Sequence, residues 1–255
     1  ILSIITQAFS REGGEVICSE YGFIYYPIVA KVSGAKVVTA KSKDYSISCK
    51  NILASISKKT KIIFIANPNN PTGTIIMKNE LVSFLKKVPQ NILVVVDGAY
   101  AEYVTDLRFS DGLNLTNQFP NLIITRTFSK IFALAGLRLG WAYSSEKIIE
   151  TLEKIRGPFN VNIVAQTIGS LMLKEDNFLK KSIRHNMVWK KKLSAFVNSL
   201  GLETYETYAN FVLIRIDKAK FKKKTLIKKL TEKDIIIRDL DNYDLPEFIR
   251  VSVGN

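Results

Sequence analysis

At 255 residues, 47% of them hydrophobic and 24% charged, the chain reads as one large globular domain or two modest ones, and disorder is excluded. Two cysteines, Cys18 and Cys49, exclude a disulfide scaffold and a four-thiolate zinc centre, and the lone His185 excludes any site needing two histidines. The net charge of +14 could serve an anionic partner, but the excess is spread along the chain. Its densest runs, Lys190–Lys192 and Lys222–Lys224, fall in patterns of surface helices and read as solvated faces.

The first segment, Ile1 to Phe9 (ILSIITQAF), has the pattern of the middle of an amphipathic helix with no capping residue before it, as in a piece of a longer protein. It has no basic leader and is too short to span a membrane. Strands are expected at Glu15–Cys18, Lys36–Ala40, Lys61–Ala66, Ile92–Asp97, Leu122–Thr125 and Leu137–Tyr143. Helical patterns lie between them at about 22–33, 49–57, 78–88 and 145–156. The runs IIFIA and ILVVV are apolar at every position, as in strands buried on both faces. This alternation predicts an α/β fold, a mostly parallel sheet with helices on both faces. Beyond Gly157–Pro158 two long helices are expected, about 161–174 and 176–199. A smaller α/β unit follows, with strand Phe211–Ile216, helix 221–232, and strands Ile235–Arg238 and Glu247–Val253. The expected division is therefore a large domain over 1–174 and a small C-terminal domain over 175–255.

Open parallel sheets bind ligands beyond the carboxyl ends of their strands, so the polar residues there are the ones to read. After IIFIA comes Asn67-Pro68-Asn69-Asn70-Pro71-Thr72-Gly73, a rigid turn that offers the Asn70 amide. After ILVVV come Asp97 and, three residues on, Tyr100. After LIIT come Arg126-Thr127-Phe128-Ser129-Lys130, with Arg138 eight residues beyond the lysine. Singly each has a bland explanation, as a turn, a cap or a surface pair. Together they supply a lysine for an imine, an acid, a phenol with an amide, and a hydroxyl and arginine cradle for a phosphate. These are the groups that pyridoxal phosphate needs.

In NPNNPTG, VVVDGAY, TRTFSKIFALAGLRLGW and the closing FIRVSVG, the chain resembles the fold-type I aminotransferases of class I/II, and FALAGLRLG leans toward their histidinol-phosphate branch. The resemblance covers the whole chain and implies that the family's first several dozen residues are absent. It implies pyridoxal 5'-phosphate as cofactor, Lys130 as its covalent anchor and proton shuttle, and Asp97 as partner of the pyridine nitrogen. Asn70 and Tyr100 would bond the ring oxygen, and Thr127, Ser129 and Arg138 the phosphate. Phe23 would stack on the ring, with Tyr21 as rival. Arg250 and Arg238 would grip the substrate's anionic group, with Asn70 beside them. The implied reaction moves an amino group between a donor and a 2-oxo acid, with histidinol phosphate and 2-oxoglutarate as the favoured pair. A cytoplasmic homodimer without metal, membrane or nucleic-acid partner goes with it. Transfer from aromatic or other amino acids, decarboxylation of a phosphorylated amino acid, and simple binding by a basic protein stay open as alternatives.

One departure stands out: Gly98 follows Asp97 where the family commonly has Glu. His185 reads as a surface or packing residue, Cys18 as a buried strand residue, and Cys49 as incidental to a helix start. The aromatic run Tyr21-Gly22-Phe23-Ile24-Tyr25-Tyr26 fits core packing as well as cofactor stacking.

Overall fold

Strands with apolar residues at every position need cover on both faces, and the fold provides it. The computed structural model describes residues 1–217, 219 and 221–254. Six strands, β1 (Glu15–Ser19), β2 (Lys36–Ala40), β3 (Thr60–Ala66), β4 (Leu93–Asp97), β5 (Leu122–Thr127) and β6 (Gly140–Tyr143), form one sheet in the order β2-β1-β3-β4-β5-β6. All neighbouring pairs are parallel except β5 with β6.

Alternate residues of the central strands divide between two cores. On one face Ile63, Ile65, Val94, Val96 and Ile124 pack on α3 (Cys49–Ala54) and α4 (Lys78–Leu85) through Ile52, Leu81 and Phe84. On the other, Val16, Ile62, Phe64, Val95 and Ile123 meet Ile5, Val29 and Ile148. These belong to α1 (Leu2–Phe9), α2 (Tyr25–Val32) and α5 (Glu146–Glu153). Burial of each large apolar side chain stabilises by about 1.5–3 kcal/mol. The chain turns back between β1 and β3, because β2 lies outside β1; that reversal places the ligand crevice of such sheets.

Helices α6 (Ile163–Met172) and α7 (Asp176–Ser199) lead to a second, antiparallel sheet. Its strands β7 (Glu203–Tyr205), β8 (Phe211–Arg215), β9 (Arg238–Asp239) and β10 (Phe248–Ser252) run in the order β7-β8-β10-β9. One face packs on Val197 of α7 and Leu226 of α8 (Lys223–Thr231). The other, through Leu213, Tyr243 and Phe248, docks on Tyr21, Ile24 and Tyr45 of the larger part. Among the described residues no helix is long and apolar enough to cross a membrane.

Several expectations need correction. The strand expected from Leu137 starts only at Gly140, because Ala135–Leu137 form a single 3-10 turn and Arg138 takes a left-handed φ of 54°. The edge strand β7 was not expected; it has only three residues. The strand expected at Ile235–Arg238 is replaced by Arg238–Asp239, since the chain reverses at Asp234 (φ 59°) and leaves Ile235 and Ile236 exposed. Two lysines of the supposedly solvated runs are not free. Lys190 turns inward onto the carbonyls of Thr207 and Ala209, and Lys223 pairs with Asp239 and Asp241.

Candidate active site

Beyond the carboxyl ends of β1, β3, β4 and β5 lies a cleft of about 950 Å³, lined among others by Phe23, Asn70, Asp97, Tyr100, Lys130 and Arg138. Thr127 and Ser129 also line it. Residues spread over more than 100 positions of sequence are thus brought to one cavity.

The turn after β3 is tied down by its own side chains. Asn67 bonds Ile76 both ways, through Nδ2 to the carbonyl at 3.1 Å and through Oδ1 from the N–H at 2.9 Å. Asn69 Nδ2 donates to the Tyr21 carbonyl at 2.9 Å and to Thr72 Oγ1 at 2.8 Å. Gly73 has a φ of 74°, and a Cβ there would lie 2.3 Å from that of Thr207. Glycine therefore lets the loop after β7 sit against the turn, where Tyr208 N–H donates to the Gly73 carbonyl at 2.8 Å. Asn70 is left to face the site, and its Oδ1 accepts from Arg250 Nη1.

Arg250, on β10, lies with its guanidinium 4.7 Å over the Phe211 ring, and its Nε is buried with no partner among the described residues. Arg238 is its cross-strand partner on β9, so both side chains rise from one face, Arg238 being exposed. Tyr100 is buried edge-on against Phe211 at 5.5 Å, and Lys130 Nζ stands 5.3 Å from the centre of the Tyr100 ring. After β5 the chain turns sharply: Ser129 N–H donates to Thr127 Oγ1 at 3.1 Å. Arg138 reaches over this turn, donating to the Ala135 carbonyl at 2.7 Å and, at 3.4 Å, to Ser129 Oγ.

Asp97 ends β4 and lines the cleft. Burial raises its pKa above the ordinary carboxylate value, and the hydrogen bond from Tyr26 is the foremost influence opposing that rise. Burial lowers the Lys130 amine, and the positive Arg250 and Arg138 add to the effect while Asp97 opposes it. The lysine is thus biased toward the neutral form in which an amine is a nucleophile. Burial raises the Tyr100 phenol, with Arg250 opposing.

Of the two stacking candidates, Phe23 lines the cleft, whereas Tyr21 packs against Tyr45 at 5.7 Å. His185 bonds the Gly254 carbonyl at 2.7 Å and tilts against Trp189, away from the cleft. Both cysteines are buried and their thiols are pushed up to about 12, so neither is a reactive thiolate.

Two neighbours of the site went unread in the sequence. Tyr26 donates to Asp97 Oδ2 at 2.9 Å. Arg126 is buried and paired with Glu102 at 3.4 Å and Asp111 at 3.1 Å. Its guanidinium fills the space above Gly98, where a Cβ would lie 1.5 Å from Nη1. The departure at Gly98 thus has a steric partner. Nothing local in the sequence signals either contact.

A family model described as aminotransferase class I and II matches residues 1–255. The chain belongs to the class I and II aminotransferases. Histidinol-phosphate aminotransferases of Pelagibacter ubique and Maricaulis maris are each 40% identical to it over 256 residues, covering 100% of this chain and 71% of theirs. Among solved structures, the histidinol-phosphate aminotransferase of Sinorhizobium meliloti in complex with pyridoxal-5'-phosphate superposes with a TM-score of 0.93 at 24% identity, over 100% of this chain and 70% of that one. An aspartate aminotransferase mutant of Thermus thermophilus gives 0.86 at 19% identity, over 100% of this chain and 72% of that one, a likeness of fold.

The residues present fit pyridoxal phosphate. An amine biased toward neutrality, a half-buried carboxylate, a phenol beside an amide, and an arginine with two hydroxyls line one cleft, and the buried Arg250 Nε has a hydrogen still to donate.

Proposed function

We propose that this aminotransferase uses pyridoxal phosphate to move the amino group of histidinol phosphate to 2-oxoglutarate, a step of histidine biosynthesis. The observation that carries the cofactor assignment is the convergence of Lys130, Asp97, Asn70, Tyr100 and Arg138 on one cleft. The substrate rests on the names of the 40% identical relatives and on the cross-strand pair Arg238–Arg250, whose two cations suit a phosphate dianion better than a lone carboxylate.

Pyridoxal phosphate, when bound, supplies an electron sink for the carbanion left when the substrate loses its Cα proton. The chain's own residues do the rest. Lys130 anchors the cofactor and then carries the proton from and to substrate carbon; burial lowers its pKa, which favours the unprotonated amine that this role starts from. Asp97 holds a proton on the ring nitrogen. Asn70 and Tyr100 donate to the ring oxygen; Thr127, Ser129 and Arg138 hold the cofactor phosphate; Phe23 covers the ring. Arg250, with Arg238, orients the substrate by its anion. Asn70 bonds Arg250 across the gap between the two sheets, so substrate capture and cofactor contact share one hydrogen bond.

The division into units 1–174 and 175–255, a homodimer and a cytoplasmic location belong to the same reading. Exposed Phe159 and Ile163 beside the cleft are apolar surface that a second subunit would cover.

The test is an assay of the cofactor-loaded protein with 2-oxoglutarate and, in turn, histidinol phosphate, phenylalanine and threonine phosphate. Glutamate formed fastest, per kcat/KM, from histidinol phosphate is the expected result. A preference for phenylalanine, or carbon dioxide released from threonine phosphate, would replace the substrate assignment.

A further inference from the structure

Tyr26 has no part in the roles given above, yet its placement is narrowly fixed. It is 1% exposed, its ring stacks on Phe64 at 4.7 Å with 6° between planes, and it meets Phe23 edge-on at 5.5 Å. With the ring clamped between two aromatic side chains, the hydroxyl has one direction to point, and it donates to Asp97 Oδ2 at 2.9 Å. A buried hydroxyl left unpaired is costly, and a hydrogen bond to an ionised acceptor is about twice as strong as one between neutral groups. The pair therefore favours the carboxylate form of Asp97. Burial, then the nearby Asp97 charge, hold the Tyr26 phenol well above its ordinary value, so it stays a donor.

We propose that Tyr26 is a positioning residue of this site: by donating to Oδ2 it orients Asp97 as a carboxylate and leaves Oδ1 to hold the proton on the cofactor's ring nitrogen. The proposal rests on the pyridoxal phosphate reading above. It assigns the phenol an effect on where a proton sits, which packing alone would not have. Tyr26, 71 residues away in sequence, is the foremost of the groups that favour the charged form of Asp97, ahead of Thr125, the Ala99 N–H and Arg126.

The experiment loads wild type and Tyr26→Phe with pyridoxal phosphate carrying 15N in the ring and records the nitrogen resonance at neutral pH. Phenylalanine keeps both ring contacts and removes only the hydroxyl. Wild type should show a protonated nitrogen. In Tyr26→Phe the ratio of protonated to neutral nitrogen should fall about tenfold to hundredfold. An unchanged resonance, whatever happens to affinity, would overturn the proposal and leave Tyr26 a packing residue.

A second measurement needs neither cofactor nor a cavity. With Tyr26→3-fluorotyrosine in the cofactor-free protein, the fluorine signal should shift when Asp97→Asn is added. A signal that ignores Asp97→Asn would also overturn the proposal. Wild type that takes up no labelled cofactor would instead count against the cofactor reading, and the fluorine result would still decide the Tyr26–Asp97 contact.

Discussion

Glycine 98 offers a test in which the larger of two added side chains should do less harm. A Cβ at this position would lie 1.5 Å from Arg126 Nη1 and 2.6 Å from its Cζ, so Gly98→Ala must push the guanidinium out of its seat. That seat is buried: the Arg126 side chain is 3% exposed and paired with Glu102 and Asp111. It also donates to the Thr125 and Asp111 carbonyls, both at 3.4 Å. Breaking a buried ion pair costs about 3–5 kcal/mol. Asp111 is 42% exposed and Glu102 20%, so solvent screens part of that loss. A destabilisation of about 2–3 kcal/mol remains, or roughly 4–12 °C in Tm for a chain of this size. Gly98→Glu makes the same clash but brings a carboxylate to the displaced guanidinium, restoring an ion pair. The expected order of urea midpoints is wild type, then Gly98→Glu, then Gly98→Ala, at equal m-values. Gly136→Ala is the control; nothing lies within 4 Å of that Cβ, and the midpoint should not move. A Gly98→Ala protein as stable as wild type, or more stable than Gly98→Glu, would show that Arg126 does not depend on the space at Gly98.

Further outcomes follow from the same geometry. Burial raises the folded-state pKa of Asp97, so its ionisation costs stability. That cost is absent below the unfolded value of about 3.9, grows as pH rises toward the folded value, and is full above it. Asp97→Asn should therefore raise the Tm of the cofactor-free protein at pH 7 and leave it unchanged near pH 3, while cutting amino transfer at least ~100-fold; calorimetry at the two pH values and a turnover assay check both. Arg250→Ala or Arg238→Ala should raise KM for histidinol phosphate about tenfold to hundredfold and that for histidinol far less. Steady-state kinetics on the two substrates would show it, and equal effects would favour carboxylate recognition. Lys190→Met strands the carbonyl of Thr207, while that of Ala209 keeps its bond from Asn186, and should cost about 1–3 kcal/mol in urea unfolding, where a solvated lysine would cost nothing.

The central sheet was legible because the runs IIFIA and ILVVV of β3 and β4 are apolar at every position, a pattern with few alternatives. The residues lining the cleft were legible because parallel strands deliver their C-terminal ends to one edge: Asp97 ends such a strand, and Asn70 and Lys130 each follow one. What escaped depends on contacts that no local pattern carries. The bond from Tyr26 to Asp97 joins residues whose sequence context shows only an aromatic run and a strand end. Arg126 comes after the apolar run LIIT within β5, yet two acids and the glycine opposite give it a buried seat. The left-handed φ of Arg138 shortens β6, and no glycine marks the place. Lys190 and Lys223 looked like surface charge because composition cannot show which lysine finds a carbonyl or carboxylate to lie against.

Whether Lys130 holds pyridoxal phosphate in the cleft is decided by trapping. Protein incubated with the cofactor is reduced with borohydride, digested and mapped by mass spectrometry. One stoichiometric pyridoxyl modification is expected, on Lys130, and none at any site in Lys130→Ala. A modification concentrated on another lysine, or wild type and Lys130→Ala labelled alike, would contradict the assignment of Lys130.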